Sequence, residues 1–162
     1  MSPPPLRARR PAVTVRPATL ADLDVLVRFS AAMARETEGR ALDPKRLRKG
    51  VRAVLASGRH GRYLVAESGA VVVGQMLLTY EWSDWRNGWF WWIQSVYVEP
   101  SARRRGVYRT LHAHVVREAR TRGDVCGVRL YVEQGNRRAR TTYTSLGMTA
   151  TAYRIYEQDF VL

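Results

Sequence analysis

At 162 residues, 46% hydrophobic and 25% charged, the chain has the size and composition of one globular domain with its own core. No apolar run reaches the roughly 18–20 residues of a membrane helix, and the N-terminus lacks the apolar stretch of a secretory signal. Cys126 is the sole cysteine, which excludes an intramolecular disulfide and a thiolate metal cage and makes the cytoplasm the expected compartment. The net charge of +13 suits polyanionic partners, but it is nearly all Arg spread along the chain, so composition bias explains it as well as function does.

Residues 1–11 are rich in Pro and Arg and have little to bury, which predicts a flexible basic tail ahead of a single domain over 12–162. Val13 and Val15 alternate as in a short strand. Thr19 with Asp22 has the spacing of a capping box, and Leu20, Leu23, Leu26, Val27 and Met33 follow helical spacing. Asp43-Pro44 opens a second helix carrying Leu47, Val51, Val54 and Leu55, stopped at Gly58.

"RYLVAE", the turn "SGA" and "VVVGQMLLTYEW" predict a hairpin, and "WFWWIQSVYVEP" is a further strand rich in aromatic and β-branched residues. Val107, Leu111, Val115 and Ala119 then lie four apart on a helix ended by Gly123. "CGVRLYVE" is the next strand, with Cys126 expected in the core. "NRRARTTYTSLG" is a short helix, and "MTATAYRIYEQDFVL" is expected to finish the chain as strand. The order β-α-α-β-β-β-α-β-α-β is that of an α/β protein of the α+β type, not of a doubly wound fold.

Between Val98 and the helix at Val107 lies "EPSARRRG". A strand end, a basic Gly-containing loop and a helix start make a physical arrangement for phosphate. Amides at the helix N-terminus point outward, the dipole favours anions, and Gly106 permits close approach. Taken alone, the loop is equally well a solvated basic turn.

Two stretches, "SVYVEPSARRRGVYRTL" and "NRRARTTYTSLGM", resemble the two central motifs of the GNAT superfamily of N-acetyltransferases. The family's acetyl-CoA loop, Arg/Gln-x-x-Gly-x-Gly/Ala after a strand ending Val-x-Val, is matched by Arg103-Arg104-Arg105-Gly106-Val107-Tyr108 after Val96-Tyr97-Val98. The later helix is matched by Asn136, Ala139, Tyr143 and Leu146-Gly147, with Met148 in the usual Phe place. Two positions depart: Tyr108 replaces a small loop residue, and Trp92 stands where the family often carries a strand glutamate.

The resemblance implies a GNAT-like mixed, mostly antiparallel central sheet flanked by helices. It implies an acetyl-CoA-dependent N-acetyltransferase (an acyltransferase) whose amine acceptor attacks the thioester directly. Backbone groups of Val96, Tyr97 and Val98 would pair with pantetheine, amides from Arg103 to Tyr108 would hold the pyrophosphate, and Asn136 would orient the pantetheine. Tyr143 would be the general acid toward the departing thiolate. With the strand glutamate absent, Glu81 and Asp84 are the candidate bases, acting through a water that Gln94 and Ser95 would position.

All five tryptophans fall within "WSDWRNGWFWW", beside Glu81 and Asp84. Aromatic faces with carboxylates suit a cationic amine, which makes Trp82, Asp84, Trp85 and Gln94 candidate acceptor residues, while core or homodimer contacts account for most of the rings. The acceptor is expected to be a small-molecule or peptide amine. His60, His112 and His114 form no metal-ligand set, so no metal is expected. Two alternatives stand beside catalysis. A GNAT-like acyl-CoA-binding sensor or interaction module follows from the missing glutamate. A nucleic-acid binder would use the arginines, but no base-reading module accompanies them, and neither a specific nucleic-acid partner nor a membrane partner is expected.

Overall fold

The computed structural model describes residues 11–161; of the tail expected over residues 1–11, all but Pro11 lies outside them. Strand β1 (Val13–Pro17) leads through a 3-10 turn, Leu20–Asp22, into α1 (Leu23–Glu38) and then α2 (Pro44–Ala56). Asp22 explains the sharp entry. Its buried carboxylate accepts the Thr19 backbone N–H at 2.8 Å and two guanidinium bonds from Arg16, at 2.8 and 2.9 Å. Arg16 accordingly holds the Asp22 carboxyl below the usual range. Asp43 caps α2 through the Arg46 N–H, with Pro44 in the first turn as expected.

Three antiparallel strands follow, β2 (Arg62–Ser68), β3 (Val71–Ser83) and β4 (Gly88–Val98). After α3 (Val107–Thr121), β5 (Val125–Leu130) pairs parallel with β4, and the sheet runs β1-β2-β3-β4-β5 in chain order. Alternation divides each strand between the two faces. Met76, Leu78, Trp91 and Ile93 pack with Val107, Leu111, Val115 and Ala119 of α3. On the other face Tyr63 and Val65 pack with Leu23, Leu26 and Val51 of α1 and α2. Complete burial of large apolar side chains such as Phe29, Leu64, Met76 and Leu111 contributes about 1.5–3 kcal/mol each.

The chain divides into two compact units, Met1–Tyr131 and Val132–Leu162. The second contains α4 (Arg137–Ser145). Two expectations are corrected. No strand forms over residues 148–161, although its apolar residues were read as a final strand; a strand needs a hydrogen-bonding neighbour, and Tyr153, Ile155, Tyr156, Phe160 and Val161 are instead exposed. Cys126 is exposed on β5 rather than buried in the core, because the core-facing positions of that strand are Val125, Val128 and Leu130.

Candidate active site

The parallel pairing of β4 with β5 ends at Ile93–Leu130, while β4 continues to Val98. A register shift opposite Leu77 and Leu78 leaves Gln94 as the extra residue of a bulge on β4. Beyond it, Ser95 to Val98 keep their antiparallel bonds to β3 but have no strand neighbour on the β5 side among the described residues. Backbone donors and acceptors along that edge are therefore offered to whatever lies in the gap between the two strands. This is the stretch that contains Val96, Tyr97 and Val98.

The loop that follows turns twice through left-handed backbone. Arg104 has φ +64° and Gly106 φ +77°. Successive residues of opposite hand aim their amides to a common side, a concavity suited to anions. A side chain at Gly106 would meet nothing within 4 Å, so the mouth of that concavity is open. The first intrahelical bond of α3 is Thr110 N–H to Gly106 O at 2.9 Å, which leaves the amides of the first turn facing out of the helix end. Gly74 seats this helix end on the sheet, since a Cβ there would lie 3.0 Å from Val107 Cγ1. Tyr108, the departure from the motif, is half-buried and packs against the core on the α3 face, so its ring does not fill the loop mouth.

The three arginines of the loop differ. Arg103 turns back: Nε donates to Val98 O at 2.9 Å and Nη2 to Glu36 Oε2 at 2.6 Å. Glu36, on α1, also accepts the Tyr97 hydroxyl at 3.0 Å. The Arg103 guanidinium holds the Glu36 carboxyl below the usual range, while burial and then the Glu36 bond push the Tyr97 phenol up. Arg103 thus fastens the loop to α1, and Arg104 and Arg105 are exposed.

At the other end of β4 the predicted acceptor residues separate. Trp82 and Trp89 face each other edge to face at 5.0 Å, on the α3 face of the sheet. Trp85 and Asp84 form the turn, Asp84 Oδ1 accepting the Trp85 N–H at 2.9 Å, and Trp85 is 86% exposed. Only Trp91 of the five tryptophans is buried; Arg62 stacks on it at 4.7 Å. Gln94 and Glu81 lie on the opposite face from Trp82, so no single pocket takes all four predicted acceptor residues.

That opposite face carries a connected network over three strands. Glu81 accepts the indole N–H of Trp92 and, at 3.1 Å, the Arg129 guanidinium. Arg129 also covers the buried ring of Phe90, its Cζ 3.4 Å from the ring centre. Gly127 makes this possible, because a Cβ there would sit 2.6 Å from Phe90 Cε1. Beside it Tyr131 donates to Gln94 Oε1 at 2.7 Å, Gln94 Nε2 to Thr79 Oγ1 at 2.8 Å, and the Tyr131 ring lies 5.7 Å from that of Trp92. Thr79, Phe90, Arg129, Tyr131 and Glu36 were not legible as site residues. The signal for Arg129 and Tyr131 was their i, i+2 spacing on a strand, which acquires meaning only once β5 is known to pair with β4 at Trp92–Arg129.

In the second unit, Asn136 caps α4, its Oδ1 accepting the Ala139 N–H at 3.0 Å. Tyr143 is half-buried, and burial pushes its phenol above the usual range. Its carbonyl accepts Leu146 and Met148 amides at 3.0 and 3.1 Å, closing the helix before Gly147 at φ +84°. Among the described residues no group of three His, Cys, Asp or Glu converges as a metal site, and no helix is long and apolar enough to cross a membrane.

The acetyltransferase (GNAT) family model matches residues 29–148, and the chain belongs to that family. Membership indicates acyl transfer, for which the family uses acetyl-CoA. The chain is similar to the structure of a possible acetyltransferase from Clostridium difficile 630, with 43% identity over 93% of this chain and 99% of that one, at a TM-score of 0.86. Two more distant structures share the fold. Aminoglycoside N-acetyltransferase AAC(6')-Iy in complex with CoA has 16% identity and a TM-score of 0.77, over 95% of this chain and 99% of that one. Ribosomal-protein-alanine N-acetyltransferase from Brucella melitensis biovar Abortus 2308 has 17% identity and a TM-score of 0.73, over 92% and 100%. No curated protein matches the sequence.

Proposed function

We propose that the protein transfers the acetyl group of acetyl-CoA to a primary amine by direct attack, and that residues 12–162 act as one acetyltransferase domain. The family match, which runs across residue 131, supports the second point. The observation that carries the first is the sequence of open backbone: the unpaired β4 edge through Val96, Tyr97 and Val98, then the concave loop from Arg103 to Tyr108 at the end of α3. An extended pantetheine arm followed by a pyrophosphate has the same order of chemistry, amide-rich first and anionic second. Acetyl-CoA supplies the activated acyl thioester; the chain supplies the rest.

Asn136, whose oxygen is engaged in the α4 cap, has its amide NH2 left to orient the pantetheine. Tyr143 holds a proton through neutral pH, as its raised pKa requires, and gives it to the departing thiolate. The attacking amine, with a pKa near 10 in solution, must shed a proton first. The Glu81 side chain beside Trp92 attracts the ammonium and offers its proton a path to water, with Gln94 positioning that water between Thr79 and Tyr131. The acceptor reading then rests on Gln94, Trp92 and Glu81 on one face, with Trp82, Asp84 and Trp85 serving a longer acceptor that reaches the hairpin end.

Tyr143→Phe tests the reading. Turnover should fall about 100-fold while calorimetric acetyl-CoA affinity changes little; unchanged turnover removes the acid role. A second reading, an acyl-CoA-binding module without useful catalysis, is favoured by one observation: both oxygens of Glu81 already have donors, Trp92 and Arg129. Thiol release measured with a panel of amines separates the two, since the module binds acetyl-CoA and releases no thiol above the amine-free rate.

A further inference from the structure

On the opposite edge of the sheet from β5, strand β1 has, among the described residues, a hydrogen-bonding neighbour, β2, on one side only. Between that edge and α3 lies an open groove of about 420 Å³. Its floor is apolar, Val13 and Val15 of β1 with Ala113 of α3, and its wall is basic, Arg109, His114 and Arg117. Among the described residues neither Arg109 nor Arg117 is in an ion pair. The nearby Glu118 is taken by Arg62, which grips both its oxygens at 2.7 Å, with His114 at 3.8 Å. The Arg117 guanidinium lies 3.5 Å from His114 Nδ1, so the two arginines of the wall stand without a carboxylate partner among the described residues.

The spacing of this wall matches a strand. Arg109, Ala113 and Arg117 are four apart and form one stripe of α3. Each step along that stripe rises about 6 Å, close to the roughly 6.7 Å between alternate residues of a strand. We infer that the groove is a docking site for an acidic segment of a partner protein, which adds to β1 as an extended strand and places acidic side chains at positions i and i+4 against Arg109 and Arg117, with a small or apolar residue at i+2 over Ala113. Main-chain bonds to the free β1 edge supply the affinity of such an addition, and the side chains facing α3 supply its selection. The opposite charge of partner and wall favours this occupant over the chain's own first ten residues, which contain Arg7, Arg9 and Arg10 and no acidic residue. The inference does not rest on the acetyl-transfer reading.

The test is fluorescence anisotropy on the full chain with a labelled peptide, Thr-Glu-Thr-Val-Thr-Glu-Thr. It should bind, and binding should weaken as salt rises. A peptide of the same composition with the acids adjacent, Thr-Thr-Glu-Glu-Val-Thr-Thr, should bind about 10-fold more weakly. R109E/R117E should lose at least about 10-fold and R109Q/R117Q less, both with unaltered melting, since neither arginine holds the fold. The inference is overturned if the two peptides bind alike, if the charge variants bind as wild type, or if a peptide N-methylated at alternate residues binds unchanged. It is equally overturned if acetyl-CoA or inorganic phosphate displaces the peptide, or if the peptide binds only after residues 1–10 are deleted.

Discussion

The two ends of β4 are built on opposite principles. At the C-terminal end the protein offers main chain: an unpaired strand edge, two left-handed residues and a helix terminus, while the side chains nearby, Arg103, Glu36 and Tyr97, are occupied in holding that main chain still. Toward the N-terminal end Trp89 to Ile93 have strand partners on both sides and the side chains make the surface, Glu81, Trp92, Arg129, Gln94 and Tyr131 in one network. Recognition by backbone tolerates most sequence changes but not a change of φ. Recognition by side chains tolerates no change of partner. The first suits a constant ligand and the second a variable one, as expected of a family whose cosubstrate is shared and whose acceptors differ.

The contrast is broken most directly at Gly106. Replacement by Ala adds no clash, as nothing lies within 4 Å, yet places a side chain at φ +77° in the loop mouth. Stability should fall by only about 1 kcal/mol, while acetyl-CoA affinity by calorimetry should drop about 10-fold or more; equal affinity would remove the loop from cosubstrate binding. Next in size is Glu81→Gln, which weakens the Arg129 contact without changing shape. The kcat/KM for an amine should fall about 10-fold with acetyl-CoA affinity unaltered, and a loss of acetyl-CoA affinity instead would blur the two ends into one.

Gly127→Ala should cost about 1–3 kcal/mol by pushing Phe90 from under Arg129, read as a lower melting temperature together with a raised acceptor KM. Acid should separate the ends more gently. The folded-state pKa of Glu36 is lowered, so the stability it contributes is present above the ordinary carboxylate pKa, near 4, and is lost as pH falls through the lowered value. Acetyl-CoA affinity, measured from pH 6 down to 3, should weaken at the lower end as the Arg103 tether loosens, and R103A should abolish that acid dependence. The smallest effect is expected for Arg104→Ala and Arg105→Ala, whose side chains are exposed; each should change acetyl-CoA affinity by less than about 3-fold at physiological salt.

What was legible follows the same division. The elements from Val13 to Ser145 could be read because apolar period, caps and turn residues are local, and Gly106 and Tyr143 stood out as candidates because their motifs are contiguous. Arg129 and Glu81 are 48 residues apart, and their contact depends on a β4–β5 register that no local pattern specifies. Trp82 was grouped with Gln94 by proximity in sequence, and pleating puts them on opposite faces. The final segment misled for a related reason: alternating residues such as Tyr153 and Ile155 describe a strand's faces, not the neighbour it must bond to.

The crowding of all five indoles into residues 82–92 has a practical consequence. Intrinsic emission of this protein reports on one hairpin. Trp85, largely in water, should emit to the red, and Trp91, enclosed under Arg62, to the blue. Trp92 sits in the network with Glu81. A spectrum recorded during titration therefore listens to one end of β4 and is deaf to the other, so an amine that docks beside Trp92 announces itself without a label.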